Sequence, residues 1–151
     1  MSSLWWWLRT RERGHRLNHF IYDSLQSLYG SSISWNARIP SRPCLPHGPK
    51  GIFIAGGATL GSDCVIFQQV TIGSNTLIDS GSRGVPSIGN RCYIGAGAKV
   101  IGGIIIGDNV RIGANAVVYR DVPDNSIVTG ANMNIMPVSY THLTLPTICS
   151  V

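Results

Sequence analysis

The chain has 151 residues, 44% of them apolar and only 13% charged, with 18 glycines and a formal charge of +5. One domain fits that length. The charge is low against the quarter or so usual for a soluble monomer, which implies surface buried against other subunits. Residues 1–16 carry four Arg and one Glu, a local +3 that leaves only +2 for the remainder, so the body of the chain is not a basic nucleic-acid surface.

In chain order, residues 1–16 combine Trp5, Trp6 and Trp7 with arginines. This suits either a membrane-surface foot, since aromatic and basic residues favour that interface, or a helical start packed on a neighbouring subunit. It is not a secretory leader, because the apolar stretch is short and the arginines follow it. Residues 17–29 are expected to form an amphipathic helix. Leu17, Phe20, Ile21, Leu25 and Leu28 share one face at spacings of three and four, and Gly30 is the stop. A helix this short must dock on something.

From residue 33 an aliphatic side chain returns every six positions. The beat is faint at Ile33, Ile39 and Leu45. It is then regular at Ile54, Leu60, Ile66 and Ile72, and again at Ile88, Ile94, Val100, Ile106, Ile112 and Val118. Most are followed by a small residue, usually Gly. Four positions after each stands a small or aliphatic one: Ala58, Cys64, Val70, Cys92, Ala98, Ile104, Val110, Ala116 and Val122. Six is neither a helical period nor strand alternation. It is the period of a solenoid in which each hexad makes one short strand and one corner. The fold class is therefore all-β, a parallel β-helix of about four three-sided coils preceded by a short helix. Gly89-Asn90 and Asp108-Asn109 are expected to supply the left-handed angles of tight corners. Cys64 and Cys92 fall at small inward positions and read as core residues.

The beat is broken twice. Leu45 to Ile54 spans nine residues, so the chain protrudes near His47-Gly48-Pro49-Lys50-Gly51; Ile72 to Ile88 spans sixteen, and the excess forms a polar loop, residues 73–87. Solenoids often carry function on such insertions. After Val122 the beat fades through Asn125, Ile127 and Gly130. The resulting organisation is a basic, aromatic and helical segment at 1–30, a β-helix domain at 31–137, and a tail at 138–151 without hexads. That tail, Val-Ser-Tyr-Thr-His-Leu-Thr-Leu-Pro-Thr onward, resembles a translated sequencing adapter. On that reading the natural C-terminus is missing, and His142 and Cys149 carry no functional argument.

With the tail set aside, His47 is the one histidine at an insertion and the one good base there near neutral pH, suited to taking a proton from an acceptor hydroxyl. There is no G-x-S-x-G and no Ser-His-Asp ordering, which argues against a covalent acyl-enzyme. The cysteines show no metal-ligand spacing, and no metal is expected. A reducing cytoplasm is the default compartment. Gly73 and the GAG and GAN corners are places where backbone N–H groups can approach a ligand.

The segments LPHGPKGIFI, IFQQVTIG, IGNRCYIGAGAKVIGG and IGDNVRIGANAVVYRDVPDNSIVTG resemble the hexapeptide-repeat acyltransferases, and within them the serine acetyltransferase group. The resemblance covers about two-thirds of the chain. It implies a left-handed β-helix, a homotrimer, and acetyl-CoA as co-substrate in the groove between subunits. It also implies His47 as catalytic base for direct attack on the thioester. Ala96 and Ala114, after Gly95 and Gly113, would meet the pantetheine arm, and Arg111, with Arg120 as a weaker candidate, would lie at the nucleotide end. The chain departs from that pattern. The aspartate that orients the histidine falls at Ser32, and the one holding serine's amino group falls at Pro46. The loop's Arg-His pair falls at Gly84-Val85, with Arg83 adjacent as a substitute acceptor contact. The expected function is thus acetyl-CoA-dependent O-acetylation of L-serine, feeding cysteine synthesis. A sugar hydroxyl of a capsular or exopolysaccharide is the alternative acceptor, and a non-catalytic trimeric scaffold the third reading.

Overall fold

Each hexad contributes one outward and one inward residue in extended conformation, followed by a turn, so the strands are mostly two residues long. The computed structural model describes residues 16–130 and 132–138. The Trp/Arg foot, apart from Arg16, and the adapter-like tail beyond Val138 lie outside the described residues. Helix α1 (Arg16–Tyr29) leads into thirteen strands that form three walls. The first wall stacks β1 (Ser32–Ile33), β2 (Phe53–Ile54), β5 (Thr71–Gly73), β8 (Lys99–Ile101) and β11 (Val117–Val118). The second stacks β3 (Thr59–Leu60), β6 (Ser87–Ile88) and β9 (Ile105–Ile106). The third stacks β4 (Val65–Ile66), β7 (Tyr93–Ile94), β10 (Arg111–Ile112), β12 (Ser126–Thr129) and β13 (Asn134–Pro137). All strand pairings are parallel except that of β12 with β13, which is antiparallel.

The rhythm in the sequence is the rhythm of burial. Ile54, Leu60, Ile66, Ile72, Ile88, Ile94, Val100, Ile106, Ile112 and Val118 are all buried, as are all nine residues four positions on. Aliphatic side chains therefore stack over their own kind from level to level, which removes most of their apolar surface from water. Cys64 and Cys92 are fully buried in this core. Their thiols donate to the carbonyls of Gly89 (3.3 Å) and Gly107 (3.2 Å). The adjacent Cys92 thiol, and then burial, push the Cys64 thiol above its ordinary value.

There are five levels, not four. The faint beat at Ile33, Ile39 and Leu45 is a complete first level, since Ser32 pairs with Phe53, Arg38 with Thr59 and Cys44 with Val65. The fifth level is shortened by two residues. Val122 aligns with Ile106 and Val128 with Ile112, so the inward residue is Val128 and not a hexad member. The chain then reverses into β13, an antiparallel strand the fading beat did not announce.

The corners also differ from expectation. The left-handed residues other than glycine are Asp63, Gln69, Arg91, Asn109, Asn115, Asn125 and Met133, with φ between 52° and 61°; Asn109 is among them as expected, and Asn90 is not. Glycine at the first corner position answers a different need. A Cβ on Gly95 would lie 2.7 Å from the Ala114 nitrogen of the next level, so only glycine allows the levels to close. Asn90 has a third role. Its Oδ1 accepts from the Ser62 amide at 2.9 Å, Asp108 Oδ1 accepts from the Asn90 amide at 2.7 Å, and Asp124 Oδ1 accepts from the Asp108 amide at 2.7 Å. One corner column is thus capped rung by rung by side chains.

Helix α1 closes the open end of the rod, but not with the expected face. Among the described side chains, His19 and Tyr22 stack on Trp35 (ring centroids 4.4 and 4.2 Å) and Leu25 packs on the core. Phe20 and Leu28 are 71% and 76% exposed. The reason lies in the backbone. The edge strand β1 presents Ile33 with no strand beyond it, and an unpaired buried amide or carbonyl is costly. The Tyr22 hydroxyl donates to the Ile33 carbonyl at 3.0 Å, and Gln26 Oε1 accepts from the Ile33 amide. Polar tips four residues apart outweigh the apolar stripe. Gly30, at φ 58°, ends the helix as expected, with the Ser31 amide on the Gln26 carbonyl.

Candidate functional site

The first insertion is pinned by its own backbone. Gly48, at φ 69°, donates to the Leu45 carbonyl at 3.0 Å, and Ile52 donates to Pro49 at 3.1 Å. Gly51 reaches back to the Tyr29 carbonyl at the end of α1 at 3.0 Å, and the Lys50 carbonyl accepts from Gln69 on the next level at 2.9 Å. On this held loop His47 is exposed, while Pro49 is buried beneath it. The imidazole makes no hydrogen bond to any described residue. Its ring packs instead against Phe67, centroid to centroid 5.7 Å, tilted by 60°. Phe67 in turn lies 5.0 Å from Tyr93, and Tyr93 is the register partner of Arg111. Four successive levels of the third wall thus carry His47, Phe67, Tyr93 and Arg111; the first three are linked ring to ring, and the last two share a register position. At about 4.8 Å per level, His47 and Arg111 stand roughly 14 Å apart along the axis. The sequence reading named the two ends of that series and missed the two rings between them. Their signal was aromatic side chains in or beside the outward hexad positions.

Other expected residues divide by corner. The Gly95 amide donates to Ile112 (2.8 Å) and the Gly113 amide to Val128 (2.8 Å), so both are spent on holding levels together. The amides of Ala96 and Ala114, on the corner following the third wall, make no hydrogen bond within the described chain; at that corner it is the alanine N–H groups that remain for a ligand. Gly73 ends β5 on the first wall, where a Cβ would meet Ile101 Cδ1 at 2.8 Å. Arg120 follows β11 on the first wall and lies 5.4 Å from the Tyr119 ring. The structure does not bring Arg120 onto the face shared by His47 and Arg111.

The second insertion folds on itself. Asn75 and Gly84 form an antiparallel bridge, Asn75 Oδ1 accepts from Leu77 at 3.0 Å, and Asn75 Nδ2 donates to Ser80 Oγ at 2.7 Å. Its return strand lies flush on Gly102 and Gly103; the Gly103 amide donates to the Ser82 carbonyl at 2.7 Å. The tip presents Leu77 and Ile78, 64% and 86% exposed, and Arg83 is exposed behind them. A loop expected to be polar therefore carries an apolar knob. Ser32 points outward from β1 on the first wall, and Pro46 precedes His47. Among the described residues no three His, Cys, Asp or Glu side chains gather as a metal site, and no helix is long and apolar enough to cross a membrane.

The bacterial transferase hexapeptide family (six repeats) matches residues 86–120. Serine acetyltransferase of Mycobacterium tuberculosis is 37% identical over 129 residues, covering 78% of this chain and 55% of that protein. Its counterpart in Synechococcus elongatus is 40% identical over 128 residues, covering 77% and 51%. Among solved structures, serine acetyltransferase of Neisseria gonorrhoeae in complex with serine superposes with a TM-score of 0.68 at 34% identity, covering 78% of this chain and 47% of that one. The chain spans about half the length of the curated relatives it matches. The shared fold gives the rod its hand, left, against the right-handed preference of ordinary crossovers. Repeat, register and relatives agree: the chain belongs to the hexapeptide-repeat acyltransferase superfamily, on its serine acetyltransferase-like branch.

Proposed function

We propose that the chain transfers an acetyl group from acetyl-CoA to the hydroxyl of L-serine. The observation that carries this reading is His47, an exposed imidazole on a pinned corner, with Arg111 about three levels, roughly 14 Å, down the same wall. His47 takes the proton from the acceptor hydroxyl as its oxygen attacks the thioester carbonyl; the carbon–sulfur bond then breaks, and the leaving thiolate recovers the proton from His47. General-base assistance of this kind is worth about 10²–10⁴-fold. The Ala96 and Ala114 amides receive carbonyl oxygens of the pantetheine arm, and the Arg111 guanidinium meets the phosphates, for which its planar donors are suited. Acetyl-CoA and serine are supported by the names of the relatives and by the serine complex of the gonococcal enzyme. A homotrimer, with the cofactor between subunits, would cover the low-charge walls and give the Leu77–Ile78 knob a neighbour.

A sugar hydroxyl is the second acceptor reading. Pro46 favours it, because it stands where the resemblance places the contact to serine's amino group and its side chain cannot accept from an ammonium. Thiol release from acetyl-CoA, with serine and a panel of sugars offered separately, decides between them. Release with serine supports the first reading, release with saccharides alone replaces it with the second, and a protein whose unfolding temperature is unmoved by CoA supports the scaffold.

A further inference from the structure

The side chain of His47 has a fixed backbone beneath it and no hydrogen bond to hold its ring. A base that must meet a hydroxyl within about 3 Å loses rate when its ring swings, and a misplacement near 1 Å costs about 10²-fold. Something has to choose one orientation of the imidazole, and within the described chain the contact available is aromatic. The Phe67 ring lies 5.7 Å away at 60°, inside the range in which tilted rings attract. Phe67 is itself backed by Tyr93, 5.0 Å away at 52°. Both are half-buried, and their backbones are tied to the levels beyond. The Phe67 amide donates to Ile94 at 3.0 Å and the Tyr93 amide to Val110 at 2.9 Å.

We infer that Phe67, buttressed by Tyr93, is the positioning residue of His47. An aromatic column does here what a hydrogen-bonding partner would otherwise do. The inference deepens the acetyl-transfer reading and rests on it. A tilted aromatic pair biases a rotamer by roughly two- to twelvefold, so the effect falls on turnover and not on cofactor affinity. Phe67 faces outward, and its loss leaves the stacked aliphatic core intact.

The test uses the full chain with Phe67→Leu, Phe67→Tyr and Tyr93→Leu, and reads kinetics beside the NMR signals of the carbon-bound His47 ring protons. Phe67→Leu is expected to lower kcat about two- to twelvefold, with KM for acetyl-CoA changed less than about twofold. The ring-current displacement of the His47 signals should disappear with it. Phe67→Tyr, which keeps the ring, should restore both, and Tyr93→Leu should lose less than Phe67→Leu. Unchanged kcat in Phe67→Leu, a loss that Phe67→Tyr fails to restore, or His47 signals indifferent to the ring would overturn the inference. The NMR readout stands apart from the function. A chain that acetylates nothing yet shows ring-displaced His47 signals that Phe67→Leu abolishes would sink the acetyl-transfer reading and keep the column. A chain active and unaffected by Phe67→Leu would do the reverse.

Discussion

Two stretches of the rod show what a repeat can and cannot say. Residues 88–118 run through β6 to β11 without an extra residue, and nearly every side chain there is explained by its place in the hexad. Residues 31–54 make the first level, take three residues more than the beat requires, and carry His47 on the excess. In the regular stretch inward and outward positions repeat, so one level predicts the next. In the interrupted stretch nothing repeats. The loop is held by contacts found only there: Gly51 to Tyr29, Lys50 to Gln69, and Pro49 buried under the turn. Regularity builds a rod with no unique point on it, and the departures create one.

The sharpest way to break this contrast is to remove the unique group. His47→Ala is expected to lower kcat by about 10²–10⁴-fold, the usual worth of a general base. Because the side chain is exposed, the unfolding temperature should stay within a degree or two, as surface substitutions contribute within about 0.5 kcal/mol. Steady-state thiol release and a thermal scan on the same preparation check both halves. A variant with normal turnover would return the insertion to mere connection.

The converse is Ile112→Ala, in the regular stretch and fully buried. Its methyl groups fill space between Ile94 and Val128, with which Ile112 is in register, and the shortened side chain leaves a void the stacked levels cannot collapse into. The expected loss is about 2–5 kcal/mol by denaturant titration. If the midpoint moved no more than for an outward residue of the same wall, the levels would not be the close-packed units described.

How far this contrast was legible follows from the physics of each part. A buried aliphatic column is written into every sixth residue because the same environment recurs, so the core from Ile54 to Val118 could be read directly. His47 was legible as an interruption. The fifth level was not, because Val122 and Val128 satisfy the walls with two fewer residues than the period. Nor was the docking face of α1. Its apolar stripe predicts burial of Phe20 and Leu28, whereas the open edge of β1 needs donors and acceptors, a demand no sequence periodicity displays. The Phe67–Tyr93 column escaped for a related reason: Phe67 follows β4 while Tyr93 pairs with Val65, so the two rings meet across levels from positions the hexad does not match.

That capping demand gives the next test. Gln26→Leu keeps the volume of the side chain and removes the oxygen that accepts from the Ile33 amide. The amide is then buried without a partner, which costs about 1–3 kcal/mol. Hydrogen exchange would locate the loss: faster exchange at Ile33, with rates at Ile94 and Ile112 unchanged. Uniform acceleration would mean that the helix and the rod unfold as one unit and that the cap is not a separate element.

The smallest effect belongs to the corner ladder, where one rung is neutral and the next is charged. Asn90 caps the Ser62 amide without a charge, and Asp108 caps the Asn90 amide with one. The Asn90 amide, then its side chain, hold the Asp108 carboxyl below its ordinary value, with Arg91 at 4.0 Å adding a little. A carboxyl whose pKa is lower in the folded chain than in the unfolded one contributes stability above the unfolded value, near 4, and loses it as pH falls through the folded value. Acid should therefore weaken this rung and leave the Asn90 rung alone. Asp108→Asn writes the neutral rung into the charged position: it keeps the oxygen that accepts from Asn90 and removes the group that titrates. Its unfolding temperature should fall less than that of the parent between pH 5 and pH 3, with the difference narrowing in high salt only by the share due to Arg91. Equal acid losses in the two chains would show that the ladder holds the corner by its oxygens alone, whatever their charge.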